Sequence, residues 1–137
     1  MRVFLDANVL FSASNPDSNI AALIKWLCRK GTAVTSDLAV VEARKNLSLK
    51  RPAWRPVFER LLEALEVVPS TLFELPVPLQ EKDAPLLCSS IRNRCSFFVT
   101  GDKRDFGHLY DRRIEGVEVI SLLRLAEILA AGHGQSD

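Results

Sequence analysis

The sequence predicts an α/β protein, a three-layer α/β/α sandwich around a central parallel sheet of about five strands. Three observations carry this. Apolar runs of strand length (residues 3–5, 32–35, 67–68, 96–100 and 117–120) alternate with longer stretches whose apolar residues recur at three- and four-residue spacing. The 137 residues, 47% of them hydrophobic and 26% charged, suit one domain with a real core. No internal repeat or low-complexity segment breaks the pattern, so disordered, collagen-like and disulfide-stapled classes are excluded.

The first strand is Val3-Phe4-Leu5, too short for a helix, and it ends on Asp6. Asn15-Pro16-Asp17-Ser18 breaks the chain and can cap a helix bearing Ile20, Leu23, Ile24 and Leu27, with Gly31 as its stop. Thr32 to Thr35 forms the second strand. Ser36 or Asp37 caps a second helix carrying Leu38, Val41 and Leu47, which Lys50-Arg51-Pro52 ends. A third helix is expected from about Trp54 to Glu66, with Val57, Phe58, Leu61, Leu62 and Leu65 on one face. Val67-Val68 opens a poorer strand, placed at a sheet edge by Pro69. Pro76 and Pro78 lie in a linker, and Lys82-Asp83 starts a fourth helix with Leu86, Leu87 and Ile91. Ser96 to Thr100 is the next buried strand, and Gly101-Asp102 turns the chain into a polar loop. Val117 to Ile120 is the fifth strand, and Ser121 caps a last helix through Leu129. The domain is expected to span residues 1–131, with 132–137 as a frayed tail.

The formal net charge is +1, which excludes a uniformly basic nucleic-acid glove but not a local basic patch. Cys28, Cys88 and Cys95 are an odd number without a CxxC spacing, and read as reduced, mostly buried thiols. The N-terminal apolar run is too short for a signal peptide, and no segment approaches the roughly 18 apolar residues of a membrane span. The expectation is a cytoplasmic protein.

The chemistry lies with the acids at the ends of elements. Asp6 closes the first strand, Asp102 follows the fourth, Asp83 lies in the first turn of the fourth helix, and Glu42 lies about a turn and a half beyond the cap of the second helix. In a parallel sheet, strand C-termini and the N-termini of the following helices share one rim, where ligands bind at the point of strand-order reversal. Gathered carboxylates repel, by about 4 kcal/mol for two at ~4 Å in an effective dielectric near 20. They must protonate, stay apart or hold a cation. An all-oxygen set favours Mg²⁺ or Mn²⁺ over zinc, and metal-assisted phosphate-ester hydrolysis is the natural reaction. Singly, three of the four acids also have a structural reading: Glu42 as a solvated helix face, Asp83 as a dipole partner, Asp102 as a turn residue.

Val3-Phe4-Leu5-Asp6-Ala7-Asn8-Val9-Leu10 followed by Phe98-Val99-Thr100-Gly101-Asp102-Lys103-Arg104-Asp105-Phe106 resembles the PIN-domain nucleases, in particular the small bacterial toxin-like ribonucleases. Glu42, and Asp83 at nineteen positions before Asp102, extend the resemblance over nearly the whole chain. It implies a strand order of 3-2-1-4-5, with Asp6 and Asp102 at the switch point. It implies cleavage of RNA with Mg²⁺ or Mn²⁺, the catalytic quartet being Asp6, Glu42, Asp83 and Asp102, of which Asp6, Asp83 and Asp102 would hold metal. Asn8 and Thr100 would support the carboxylates, and Asp105 fits an acid found in some members. It also implies an endoribonuclease toxin held inactive by a cognate antitoxin, and a homodimer. The sequence departs from the family pattern at Ser89 to Cys95, where small residues are usual, and at Pro85 beside Asp83.

Arg44, Lys45, Lys50, Arg51, Arg55 and Arg60 stand against a single acid, Glu59, over seventeen residues; the run suits a polyanion beside the pocket, the alternative being a solvated pair of helices. Lys103 and Arg104 add cations next to Asp102. Arg92, Arg94, Arg112 and Arg113 are expected near the same rim. Trp54 is a candidate base-stacking residue, and His108 a minor one. Three rival readings are a haloacid-dehalogenase-like phosphatase, a catalytically silent PIN-like nucleic-acid-binding module and a receiver domain. The first needs an acid at position 8, where Asn8 stands.

Overall fold

The computed structural model describes residues 1–133. Six strands form one sheet: β1 (Arg2–Leu5), β2 (Thr32–Ser36), β3 (Glu66–Val68), β4 (Phe97–Val99), β5 (Arg113–Ile114) and β6 (Val117–Ile120). Their order is β3-β2-β1-β4-β6-β5. All neighbours are parallel except β5 and β6. The five expected strands therefore stand in the expected order, and β5 is an addition. It folds back on β6 through a two-residue turn at Glu115 and Gly116, both at positive φ. That mirror-image turn matches strand twist, and glycine fits its second position.

The helices are α1 (Ala7–Ala13), α2 (Asn19–Lys30), α3 (Asp37–Lys50), α4 (Arg55–Leu62), α5 (Ala84–Arg92), α6 (Lys103–Phe106) and α7 (Leu122–His133). The chain steps outward from β1 to β2 to β3, then returns to place β4 on the other side of β1. Right-handed crossovers put the helices of those two steps on opposite faces. Accordingly α1 to α4 pack among themselves, while α5 packs on β2 and β4. The central strands β1 and β4 are sealed between the layers, as their unbroken apolar runs require. Phe4 stacks on Phe98 at 5.3 Å, and Phe98 meets Phe106 of α6 at 5.0 Å. The second contact seats α6, and with it Asp102, against the sheet.

Several expectations are corrected. Helix α1 is not expected from periodicity because it is only seven residues long, under two full turns, with just Asn8 and Ser12 as a polar pair. On α3 the buried residues are Ala39, Val40, Ala43 and Leu47, so Leu38 and Val41 point outward. Small alanines let α3 approach α1 closely, and the larger apolar residues are left on the far side. Helix α4 ends at Leu62, and Glu66 already belongs to β3. Asp83 precedes α5 rather than sitting within its first turn. Between Asp102 and β5 the expected loop contains α6 and a further turn of 3₁₀ helix at Gly107–Leu109. Helix α7 runs to His133, so Gly132 and His133 are helical, and residues 134–137 lie outside the described part of the chain.

Candidate active site at the carboxyl rim of the sheet

Register builds the centre of the site. Leu5 pairs with Val99, and the amide of Asp6 donates to the Val99 carbonyl at 3.0 Å. The next residues along, Asp6 and Thr100, therefore emerge side by side where β1 and β4 end. This is the point where strand order reverses. The Thr100 hydroxyl donates to Asp6 Oδ2 at 2.8 Å and accepts from the Asp102 amide at 3.0 Å. Asn8 spans the same gap: its Nδ2 donates to Asp6 Oδ2 at 3.1 Å, and its Oδ1 accepts from the Gly101 amide at 2.9 Å. One hydroxyl and one amide thus lock the two strand ends together and fix the aim of Asp6.

Asp6 has a second task, as the cap of α1, where Oδ1 accepts from the Ala7 amide at 2.7 Å. A carboxylate suits a helix N-terminus. Even so its carboxyl is pushed up to about 6. Burial is the main cause; the Thr100 and Ala7 hydrogen bonds oppose it, and the charges of Glu42 and Asp102 add to it.

Asp83 comes to the rim from the segment before α5. It is 6% exposed, caps nothing, and its buried Oδ2 has no hydrogen-bond partner. Its carboxyl is pushed up to about 7, first by burial and then by the facing Asp105 carboxylate, with the charge of Asp6 contributing. Asp105 is held low by Lys82, whose Nζ lies 3.1 Å from Asp105 Oδ2, while Gln80 donates to Oδ1 at 3.0 Å. Asp102 caps α6 through Oδ1, which accepts from the Asp105 amide at 3.0 Å. Glu42 is exposed on α3. Asp37 also stands at this rim, but its Oδ1 already accepts from Leu38 and from both the amide and the hydroxyl of Ser70.

Asp6 thus feels the charges of Glu42 and Asp102, and its own charge acts on Asp83; Asp6 and Asp102 follow β1 and β4, Asp83 precedes α5, and Glu42 stands on the second turn of α3. Among the described residues, no three Asp, Glu, His or Cys side chains converge closely enough as they stand to enclose one metal ion. The donor chemistry nonetheless fits a hard divalent cation. The set is all oxygen, two of its carboxyls are costly to ionise, and one buried oxygen has no partner. Asp102 and Glu42, the more exposed members, are the ones with room to move.

The basic residues divide. Lys103 and Arg104 follow Asp102 directly and are exposed, and Lys45 lies one turn beyond Glu42. Lys50 and Arg51 stand at the far end of α3, about 20 Å from the rim at 1.5 Å per residue. Arg44 and Arg55 are both held by Glu59, Arg44 through two bonds of 3.0 Å. Arg44 also lies over the Phe58 ring. Arg94 and Arg113 line a cavity with Ser96 at the opposite edge of the sheet, where β4 begins. The geometry therefore gives Arg44 and Arg55 structural partners and leaves Lys45, Lys103 and Arg104 as the cations beside the acids. Trp54 is packed between Phe11 and the Arg51 guanidinium, so its ring is already occupied.

A stability effect follows. Arg44→Ala is expected to lower the unfolding temperature by about 2–4 °C, in line with the ~0.5–1 kcal/mol of a half-exposed pair. Thermal melts of the wild type and the variant check this.

Two groups at the site carry no motif signal. Tyr110 donates to the Thr100 carbonyl at 2.8 Å, and its hydroxyl is pushed up by burial and by the charges of Asp102 and Asp6. Lys82 reaches Asp105 although only Asp83 beside it has a recognisable spacing.

The fold is shared with a chain of VapBC2 from Rickettsia felis, solved bound to a DNA fragment from their promoter. The TM-score is 0.66 at 14% identity, over 88% of this chain and 98% of that one. No protein-family model matches the chain, and no curated protein does. At that identity the likeness speaks for architecture. Among the described residues, no helix is long and apolar enough to cross a membrane.

Proposed function

We propose that the chain is a metal-dependent endoribonuclease of the PIN type, acting on RNA phosphodiester bonds as the toxin of a toxin–antitoxin pair. The observation that carries this is the buried Asp6 carboxyl, locked by Thr100 and Asn8 at the β1/β4 switch point and within electrostatic reach of Asp102, Glu42 and Asp83, on a fold shared with a VapBC2 chain. Asp6, Asp83 and Asp102 would hold Mg²⁺ or Mn²⁺, with Glu42 completing the acidic quartet. When bound, the ion supplies Lewis-acid stabilisation of the phosphate oxygens and lowers the pKa of an attacking water.

The residues of the chain do the rest. Thr100 and Asn8 hold the Asp6 carboxylate in one orientation, so little reorganisation is left for the reaction. Lys103, Arg104 and Lys45 draw the phosphate backbone to the rim, where two exposed side chains follow Asp102 without an intervening element. Leu38 and Val41 are exposed on α3 beside Glu42, and a cognate antitoxin covering them would also screen the acid. Their exposure equally suits a homodimer.

The test is cleavage of single-stranded RNA by the purified chain. Millimolar Mg²⁺ or Mn²⁺ should give cuts that a chelator abolishes. Uncut RNA with either ion, or cutting that survives the chelator, contradicts the proposal.

A further inference from the structure

Apart from Asp37, which is committed to Leu38 and Ser70, the rim carries five carboxylates: Asp6, Glu42, Asp83, Asp102 and Asp105. They are not equally available to an external cation. Asp105 has a 4% exposed side chain, and both of its oxygens are taken, Oδ1 by Gln80 and Oδ2 by Lys82. Its backbone amide is also bound, to Asp102. A divalent ion at Asp105 would have to displace an ammonium and an amide together. Asp83, its neighbour, has the opposite character: Oδ2 is buried and has no partner.

Lys82 is the only cation bonded to an acid of this group among the described residues. It precedes Asp83 in the chain, so one stretch of backbone delivers both. Its ammonium bonds Asp105 at 3.1 Å, and Asp105 in turn donates its amide to Asp102, so the lysine is tied to the segment that carries Asp102. The side chain is 61% exposed, and an ammonium has three donors, so the Asp105 bond does not use them all. An ordinary surface pair contributes little. Here one partner is desolvated, so the pairing is stronger than a surface bridge and the ammonium is held in place.

We propose that Lys82 is a built-in cation of this site, taking the charge-neutralising place of a second divalent ion, so that the chain binds one such ion and not two. The inference rests on the metal-site reading above and deepens it. In a two-ion site the ions flank the attacking and leaving oxygens. In this site Lys82 covers the Asp105 side with a single fixed charge, and a lysine donor can reach a phosphate oxygen there. Asp105 is then a positioning residue: it holds Lys82 and, through the Asp102 cap, the start of α6.

Manganese binding to the 137-residue chain tests this without any turnover. Free Mn²⁺ is followed by electron paramagnetic resonance as the ion is titrated into metal-free protein near pH 8. The wild type is expected to bind one ion. Lys82→Met, at an exposed position where folding should be kept, is expected to bind two, and Lys82→Arg, which keeps the charge, one. A wild type that binds two ions of similar affinity overturns the role of Lys82, whatever the variants do. So does Lys82→Met remaining at one, or Lys82→Arg rising to two. A wild type that binds none overturns the metal-site reading itself, which separates the two failures.

Discussion

Asp6→Asn should reduce RNA cleavage by roughly 10³-fold or more while making the protein harder to unfold at pH 8. The loss of activity follows from position. Asp6 is the acid that the charges of the other three quartet members touch, and several kcal/mol of charge stabilisation at the phosphate depends on a cation held there. The gain in stability follows from burial. The carboxyl is 3% exposed and pushed up to about 6, against an unfolded value near 4. Keeping it ionised at pH 8 therefore costs about 3 kcal/mol. Asparagine removes that charge and keeps an oxygen for the Ala7 amide. Its own amide, however, meets the donor side of Asn8, so only part of the gain is expected. About 1–2 kcal/mol corresponds to a rise of about 3–7 °C for a chain of this size. A variant that cuts RNA at the wild-type rate, or melts several degrees lower, is incompatible with a strained carboxylate at the centre of the site.

The metal-free protein should be most stable near pH 5 and weaken toward pH 8, and divalent ions should restore stability chiefly at the higher pH. Both Asp6, pushed up to about 6, and Asp83, pushed up to about 7, have folded values above their unfolded ones. In the window between, the native state holds more protons than the unfolded chain, so stability falls as pH rises. Their contribution is complete below about pH 4 and lost as the pH passes through 6 to 7. On the acid side Asp105, held down by Lys82, and Glu59, held down by Arg44, act in the opposite sense, and their contribution disappears as they protonate. Mg²⁺ or Mn²⁺ competes with protons for Asp6 and Asp83. An ion at a hundred times its Kd adds about 2.7 kcal/mol. The melting temperature should therefore rise more on adding ion at pH 8 than at pH 5. A melting temperature flat from pH 5 to pH 8, or equal ion effects at both, contradicts the account.

Much of this was legible in the residues themselves. Strands 3–5 and 96–100 declare themselves by apolar runs too short for helices, and an acid closing a buried strand stands out against its surroundings. Their adjacency rests on strand order, which periodicity does not encode and the resemblance supplied. What stayed hidden was hidden for physical reasons. Helix α1 has only seven residues, too few to display a helical repeat. The role of Asp6 as its cap was invisible for the same reason. Leu38 and Val41 look like core residues at helical spacing, yet Ala39 and Ala43 make the contact because the neighbouring helix comes close. The basic count from Arg44 to Arg60 summed charges along the chain, whereas Glu59 pairs with two of them across the α3–α4 packing. Lys82 is illegible in the sequence, because a lysine beside an aspartate has no signature until the fold brings Asp105 to it.

The central claim is that carboxylates distant in sequence meet at the β1/β4 switch point to hold a hard divalent cation. Anomalous diffraction from a crystal soaked in Mn²⁺ measures this directly. The account predicts an ion within bonding distance of Asp6 and of Asp83 Oδ2, with Asp102 closing on it. A fully occupied Mn²⁺ elsewhere on the protein, with none between Asp6 and Asp83, would contradict it.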